Sequence, residues 1–262
     1  MTIGSDTKTI GVLHVPARMQ WSALTARSIR TTLREGDLVV AFAAPLVIYI
    51  CFYVPLRRSM ESDGVDYAQY LLPLVAVYAM FLSAMFAGDR AAREIVGGMA
   101  TRLRAMPVPA WIPITARMSA NVLRAVVSLA GAFVIGSIFG FRFHALGAAL
   151  VFLILILSFG AAMVIITDAL GTYTRNSELA STVLFGPILL LVMTSTGFVP
   201  VQGFPGWIQP LVRNQPISQI TEALRGLADG RFDASLGIAA IWIAAFLLVG
   251  AVLAVGAQGR RS

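Results

Sequence analysis

Six long apolar runs constrain this 262-residue chain more than any other feature of its sequence. Each run holds about the 20 residues that an α-helix needs to cross the hydrocarbon layer of a membrane, and none shows the alternation of a β-barrel strand. Charged residues make up 13% of the chain, whereas a water-soluble domain carries about a quarter. We therefore predict an all-α integral membrane protein with six transmembrane helices, at residues 38–56, 70–88, 123–140, 146–167, 180–199 and 236–256.

The charged residues are divided unevenly between the two sides of the membrane. If the N-terminus is cytoplasmic, 14 of the 20 Lys and Arg residues and 7 of the 13 Asp and Glu residues lie on the inner side, so this side carries the whole net charge of +7. Because basic loops resist translocation, we predict that both termini are cytoplasmic. The chain then consists of a cytoplasmic tail with an interfacial helix at 1–37 and a transmembrane domain at 38–262.

The segment just before the first run has the pattern of an amphipathic helix. Its arginines recur at helical spacing and its apolar residues lie mainly on another side, with Arg27, Arg30 and Arg34 set against Trp21, Leu24 and Leu33. This pattern favours a helix lying in the inner headgroup layer, with the arginines toward anionic lipid. The alternative is a positively charged flank that sets topology and has no separate role.

The longest inner loop joins the second and third runs and carries five arginines, and a sixth, Arg124, lies at the start of the third run. Residues 89–104 are rich in helix formers but are interrupted at Gly97-Gly98, and Pro107 stops the helix that follows. A further helix is predicted to begin near Ile114. Arginines that only set topology need no bent, proline-stopped helix, so this pattern favours a loop that a partner contacts.

Several classes of activity lack the residues that they need. The six runs contain no Asp, Glu, Lys or His, which disfavours an ion-coupled carrier, although broken helices can bind ions through backbone carbonyls. No serine–histidine pair and no set of metal-binding acids falls within the runs, so we predict no catalytic residue and no metal site. The lone lysine, Lys8, does not follow a glycine-rich turn, so the chain is not expected to hydrolyse ATP itself. Cys51 is the single cysteine, which excludes an intrachain disulfide.

Two polar or small-residue patterns lie within the runs. Thr194, Ser195 and Thr196 form a hydroxyl cluster near the predicted outer end of the fifth run, which we assign to the translocation path. On the third run small residues recur every four positions, at Ser128, Ala132, Gly136 and Gly140. Such a stripe lets another helix approach closely, either within this chain or in a second subunit.

The segment FVPVQGFPGWIQPLVRNQPISQITEALRG, residues 198–226, interrupts the chain before its last apolar run. Pro216 suits the first turn of a helix, with Asn214 or Gln215 near its cap. Helical periodicity then separates two faces. The apolar face is Ile217, Ile220, Leu224 and Leu227, and the polar face opposite is Ser218, Gln219, Glu222 and Arg225.

The order of these features resembles the permease subunits of type-2 ATP-binding-cassette exporters, and among them the daunorubicin-resistance-like permeases of actinobacteria, which include mycobacterial exporters of complex lipids. Two motifs carry the resemblance. In REIVGGMATRLRAMPV the matching residues are Glu94, Gly98, Leu103 and Pro107. In the outer segment they are Pro200, Pro205, Gly206, Trp207, Pro216 and 223–226. Many family members have Asn-Pro where this chain has Gln215-Pro216.

The resemblance implies roles for both motifs. The inner loop would hold the coupling helix that contacts the ATPase, through Arg93, Glu94, Gly98, Met99, Arg102, Leu103, Arg104 and Pro107. The outer segment would form re-entrant helices that close the pathway, with an outer gate of Pro205, Trp207, Pro216, Ile217, Ile220 and Leu224. Trp207 and the apolar stripe are then expected to pack near 194–196. The alternative for this segment is an ordinary outer loop resting on the membrane.

The resemblance also implies partners and a reaction. The chain would be the multi-pass permease of the bacterial plasma membrane, working with two cytoplasmic ATPase subunits, a second identical or paralogous permease and membrane lipids, and without nucleic acid. ATP and magnesium would bind to the ATPase, and no cofactor to this chain. A path with a few hydroxyls and no charge favours export of an amphipathic or lipid-like substrate, such as a complex lipid or a hydrophobic drug. The alternatives are an ATPase-independent channel or secondary carrier, and a membrane scaffold.

Overall fold

The computed structural model describes residues 16–62, 64–98, 109, 111–174, 186, 190–198 and 200–259. Within these ranges the chain is helical and contains no β-strand, which confirms the predicted all-α class. The helices are α1 (Ala17–Arg34), α2 (Asp37–Ser62), α3 (Tyr67–Val96), α4 (Trp111–Ile138), α5 (Leu146–Thr174), a 3₁₀ turn (Val201–Gly203), α6 (Gln209–Asn214), α7 (Pro216–Ala228) and α8 (Ser235–Gly259).

Five of these helices, α2, α3, α4, α5 and α8, are long and apolar enough to cross a membrane. They correspond to five of the six predicted spans. The predicted span at 180–199 lies mostly outside the described residues, which include a helical stretch at 190–193 and the non-helical turn that follows it. Whether both termini are cytoplasmic stays a prediction.

The helices extend further than the apolar runs that predicted them. α3 continues to Val96, eight residues past the predicted end, and α4 begins at Trp111 rather than near Ile114. Hydropathy marks only the part of a helix that faces lipid or the core, whereas the backbone hydrogen bonds continue through polar turns. The predicted interruption at Gly97-Gly98 is confirmed, because Gly97 caps α3 and Gly98 has a φ of +69°.

The third helix lies at the centre of the packing. α3 contacts α2, α4, α5 and α7, and 78% of its most apolar stretch is buried, compared with 22% for α2 and 17% for α8. The core therefore forms around α3, while α2 and α8 keep broad apolar faces on the outside of the chain.

Two close approaches hold α3 to its neighbours. A methyl group placed on Gly88 in α3 would lie 2.8 Å from the carbonyl oxygen of Thr167 in α5, so the two backbones touch there. Thr167 also donates its Oγ1 hydrogen to the Ala84 carbonyl at 2.6 Å. On α4, a methyl group at Gly136 would meet the Leu72 side chain at 2.6 Å. The small-residue stripe of α4 thus packs against α3 within this chain, as the first of its two interpretations requires, although Gly140 lies beyond the helix end.

Helix α1 packs mainly on α4 and ends where Gly36 turns the chain into α2. Its predicted helical conformation is present, and Leu33 is exposed. Its location in the headgroup layer stays a prediction.

Candidate functional sites at the two ends of the helices

An ion cluster joins α3, α4 and α5 at the base of the predicted coupling loop. The Arg117 guanidinium in α4 donates one hydrogen bond of 2.8 Å to Glu94 in α3 and another of 2.8 Å to Asp168 in α5. The Arg117 and Asp168 side chains are 14% and 13% exposed. We call this set, Glu94, Arg117 and Asp168, the Arg117 cluster.

A second ion cluster ties the start of α2 to α3 and α4. Asp37, the first residue of α2, accepts hydrogen bonds on one carboxylate oxygen from Arg90 in α3 and from Arg124 in α4, the latter at 2.9 Å. Arg90 also donates to Thr32 in α1 at 2.6 Å. The Arg124 side chain is fully buried. We call Asp37, Arg90 and Arg124 the Asp37 cluster. A buried charge requires such partners, because an unpaired one is strongly destabilising.

A cavity of about 570 Å³ lies between α1, α3 and α4, beside both clusters. Its wall combines basic and acidic side chains, including Arg27, Arg90, Asp89 and Glu94, with apolar ones such as Phe86. These helix ends therefore form a polar, charge-balanced vestibule rather than a continuation of the apolar core.

The predicted ATPase-contact residues divide into two groups. Arg93, Glu94 and Gly98 are described, and Met99, Arg102, Leu103, Arg104 and Pro107 lie outside the described residues. The Arg93 side chain is 73% exposed and pairs with Asp89 one turn earlier on α3, at 2.9 Å. Glu94 already has a partner in this chain, Arg117, although 34% of its side chain is exposed. Contact between these residues and an ATPase stays a prediction.

The opposite end of the helices is organised around one buried arginine, Arg225 in α7. Its guanidinium donates to the carbonyl oxygens of Tyr70 at 3.0 Å, Thr196 at 3.1 Å and Gly197 at 2.8 Å. It also lies 3.4 Å from the centre of the Tyr70 ring, a cation–π contact. Burial lowers the pKa of the Arg225 guanidinium, while Tyr70 and the nearby Glu222 act to raise it, and an arginine remains charged under such a shift.

Arg225 stabilises the point where the predicted fifth span stops being helical. After Met193 the backbone turns, so the carbonyls of Thr196 and Gly197 have no partner in a helix. Arg225 supplies the donors, and Tyr70 adds its hydroxyl to the Thr196 carbonyl at 2.6 Å. The Ser218 hydroxyl accepts the Thr196 backbone N–H at 3.0 Å. We call this arrangement of Arg225, Tyr70 and residues 196–197 the carbonyl clasp.

The predicted path hydroxyls lie in the same turn. Thr194 donates back to the Leu190 carbonyl at 2.7 Å, and Ser195 donates to the Val192 carbonyl at 2.7 Å. Ser195 and Thr196 are buried in this chain. The Thr194 and Ser195 hydroxyls therefore bond to the backbone of the last helical turn, and a role in the translocation path stays a prediction.

The outer-gate residues are placed in part as expected. Pro216 begins α7 with Gln215 before it, and the apolar stripe Ile217, Ile220 and Leu224 is buried. Trp207 is 82% exposed, so the expected packing of Trp207 near residues 194–196 is absent in this chain. Pro205 is also exposed. The gate itself stays a prediction.

The polar face predicted for α7 is partly buried. Ser218 and Arg225, which were predicted opposite the apolar stripe, both lie in the interior. They face the backbone of residues 196–197 rather than water, because α7 packs between α3, α5 and α8. An arginine flanked by buried apolar residues in the motif 223–226 was the available signal for this site.

Comparisons with known proteins cover the part of the chain that holds these sites. The family described as ABC-2 type transporter matches residues 19–228, which include both ion clusters and the carbonyl clasp. The doxorubicin resistance ABC transporter permease protein DrrB of Mycobacterium tuberculosis is 32% identical over 87% of this chain and 82% of its own length. The probable doxorubicin resistance ABC transporter permease protein DrrC of the same organism is 31% identical over 88% of this chain and 86% of its own length.

A relative from another genus agrees with these two. The daunorubicin resistance ABC transporter permease protein DrrB1 of Streptomyces coeruleorubidus is 31% identical over 74% of this chain and 69% of its own length. The helical architecture, the family match and the three relatives agree with the resemblance found in the sequence, and this chain belongs to the ABC-2 type transporter family as a membrane permease subunit.

Proposed function

We propose that this chain is the permease of an ATP-driven exporter of the bacterial plasma membrane, and that it moves an amphipathic or lipid-like substrate outward. Two cytoplasmic ATPase subunits and a second permease, identical or paralogous, complete the transporter. The second permease contacts this one within the membrane, where lipids cover the remaining apolar faces. ATP and magnesium bind to the ATPase subunits.

The convergence of α3, α4 and α5 on the Arg117 cluster is the observation that carries this proposal. The coupling loop begins at Gly97, three residues after Glu94. When a loop is anchored by a buried ion cluster, its displacement moves the three long helices together. When a loop has no such anchor, its displacement changes only the conformation of the loop. The sequence supplies the positive charges of Arg93, Arg102 and Arg104 for contact with an ATPase.

Two features support the substrate class. Most side chains in the described part of the membrane-spanning helices are apolar or carry a hydroxyl, and the charge in the middle of α4, Arg124, is fully buried and paired with Asp37, which suits a substrate that is itself largely apolar. The printed names of the relatives refer to doxorubicin and daunorubicin resistance, so a hydrophobic drug with a polar group is a suitable first probe. A fluorescent phosphatidylethanolamine is the matching lipid probe.

Transport in inverted membrane vesicles tests the proposal. The tagged permease is purified in mild detergent with its ATPase, identified by mass spectrometry, and the two are co-expressed. We expect ATP-dependent, vanadate-sensitive accumulation of doxorubicin or of the fluorescent lipid. Glu94→Ala, or Arg102→Glu with Arg104→Glu, should leave membrane insertion intact and reduce accumulation for each ATP hydrolysed.

The alternatives predict different results. A channel or secondary carrier moves the probe without ATP, and in that case no nucleotide-binding subunit co-purifies. A scaffold moves neither probe under any condition. Either result would overturn the proposal, as would normal transport in the variants with altered coupling-loop charges if an ATPase does co-purify.

A further inference from the structure

The Arg117 cluster connects the coupling loop to a helix that is distant from it in sequence. Glu94 is two residues before the end of α3, and Arg117 is in the second turn of α4, so both flank the loop at 97–110. Asp168 lies 51 residues further along the chain, near the end of α5. The single guanidinium therefore bridges both arms of the loop to α5.

The two bonds of this cluster are too well protected to be ordinary surface ion pairs. Exposed ion pairs contribute little because water competes for both partners, whereas the Arg117 and Asp168 side chains are mostly buried. Arg117 uses different nitrogens for the two carboxylates, each at 2.8 Å. A planar guanidinium holds two carboxylates in a defined geometry that the single ammonium of lysine does not reproduce.

Helix α5 is well placed to carry a displacement away from the loop. Near Asp168 it is held against α3 by the backbone contact between Gly88 and Thr167. Further along, α5 packs on α8 and on α7, the helix that carries the carbonyl clasp. A movement of α4 must either move Asp168, and α5 with it, or break a buried charge-assisted hydrogen bond.

We propose that Arg117 is a positioning residue that transmits movement of the coupling loop to α5 through Asp168, and so to the outer end of the permease. This inference rests on the proposed function, since it assigns the route by which the ATPase acts. Arg117 contacts neither nucleotide nor substrate in this scheme. Its role is to make α4 and α5 move as one body at the inner end.

The test measures coupling rather than activity alone. Arg117→Gln, Arg117→Lys and Asp168→Asn are prepared in the full complex with its ATPase, and doxorubicin or fluorescent phosphatidylethanolamine accumulation is divided by ATP hydrolysed in the same vesicles. The amount of assembled complex is measured separately by co-purification. The matched control is Arg57→Gln, which removes an exposed ion pair of 2.7 Å with Glu61 in α2.

We expect Arg117→Gln and Asp168→Asn each to lower the transport-to-hydrolysis ratio at least five-fold, while Arg57→Gln changes it less than two-fold. The transport-to-hydrolysis ratio of the variant that combines Arg117→Gln with Asp168→Asn should be within two-fold of that of Arg117→Gln alone, because the two substitutions remove the same Arg117–Asp168 bond. The transport-to-hydrolysis ratio of Arg117→Lys should lie between those of Arg117→Gln and the unmodified chain. If Arg117→Gln does not assemble, Asp168→Asn provides the same measurement, since it leaves the Glu94–Arg117 bond in place.

Failures of the two proposals are distinguishable. If the unmodified complex moves neither probe with ATP, the proposed function is overturned and this inference with it. If the unmodified complex transports and the assembled Arg117 and Asp168 variants keep the same transport-to-hydrolysis ratio, that result overturns only the proposal that Arg117 transmits movement to α5. If less complex assembles but the assembled part keeps an unchanged transport-to-hydrolysis ratio, Arg117 has a purely structural role, and the proposed transmission of movement is also overturned.

Discussion

The two ends of this permease use buried arginines with different kinds of partner. At the loop end, Arg117 and Arg124 bind carboxylates that belong to other helices. At the opposite end, Arg225 binds three backbone carbonyls. Carboxylate partners can move with their side chains, whereas carbonyl partners move only with the backbone. The first arrangement joins separate helices through their side chains, and the second fixes one turn of the backbone.

The same contrast has an energetic side. Removing the carboxylate of an ion cluster leaves a buried charge without a partner, which costs about 3–5 kcal/mol. Removing the arginine of the clasp leaves neutral carbonyls without donors, and each such group costs about 1–3 kcal/mol. The comparison therefore predicts that substitutions in the ion clusters lower the free energy of unfolding more than substitutions in the carbonyl clasp.

The largest effect on stability is expected from Asp37→Ala. This change removes the shared acceptor of Arg90 and Arg124, and Arg124 has no exposure to water through which to recover solvation. We expect a loss of about 3–5 kcal/mol in the free energy of unfolding, measured by detergent titration of the purified permease and followed by circular dichroism. A loss below about 1 kcal/mol would mean that the Asp37 cluster behaves like a surface ion pair.

The next largest effect is expected from Arg225→Gln. The substitution removes the guanidinium donors from all three carbonyls, and only the Thr196 carbonyl keeps a second side-chain donor, the Tyr70 hydroxyl, so we expect a loss of about 2–3 kcal/mol. Arg225→Lys should lose nearly as much, because one ammonium cannot reach carbonyls on both α3 and the turn at 196–197. Full stability in the lysine variant would show that charge, rather than the shape of the guanidinium, holds the clasp.

A smaller loss is expected from Tyr70→Phe. The ring and its cation–π contact with Arg225 remain, and only the hydrogen bond to the Thr196 carbonyl is removed. We expect a loss of about 1 kcal/mol in the same titration. If Tyr70→Phe were as damaging as Arg225→Gln, the hydroxyl rather than the guanidinium would be the main support of the turn.

The smallest effect on stability is expected from Trp207→Ala. Its side chain is exposed in this chain, so the free energy of unfolding should change by no more than about 0.5 kcal/mol. Export in vesicles should nevertheless fall if Trp207 belongs to the outer gate. Unchanged export together with unchanged stability would identify the segment as a passive outer loop.

Much of the architecture could be predicted from local patterns. Apolar runs of spanning length predict helices because no backbone group can remain unpaired in lipid, and five of the six predicted spans are present as long helices. The break at Gly97-Gly98 and the start of α7 at Pro216 follow from the conformational preferences of single residues, and the buried stripe of α7 follows from helical periodicity. The family resemblance was also visible, since the two motifs lie in short stretches of sequence.

The tertiary structure alone decided which charges meet. Arg117 and Asp168 are 51 residues apart, and Arg225 and Tyr70 are 155 residues apart, so no helical period relates them. Periodicity assigns a residue to a face of its helix, but it does not say whether that face meets water, lipid or another backbone. For α7 the periodicity placed Ser218 and Arg225 opposite the apolar stripe, and the packing of α3, α5 and α8 around the helix made both residues part of the interior.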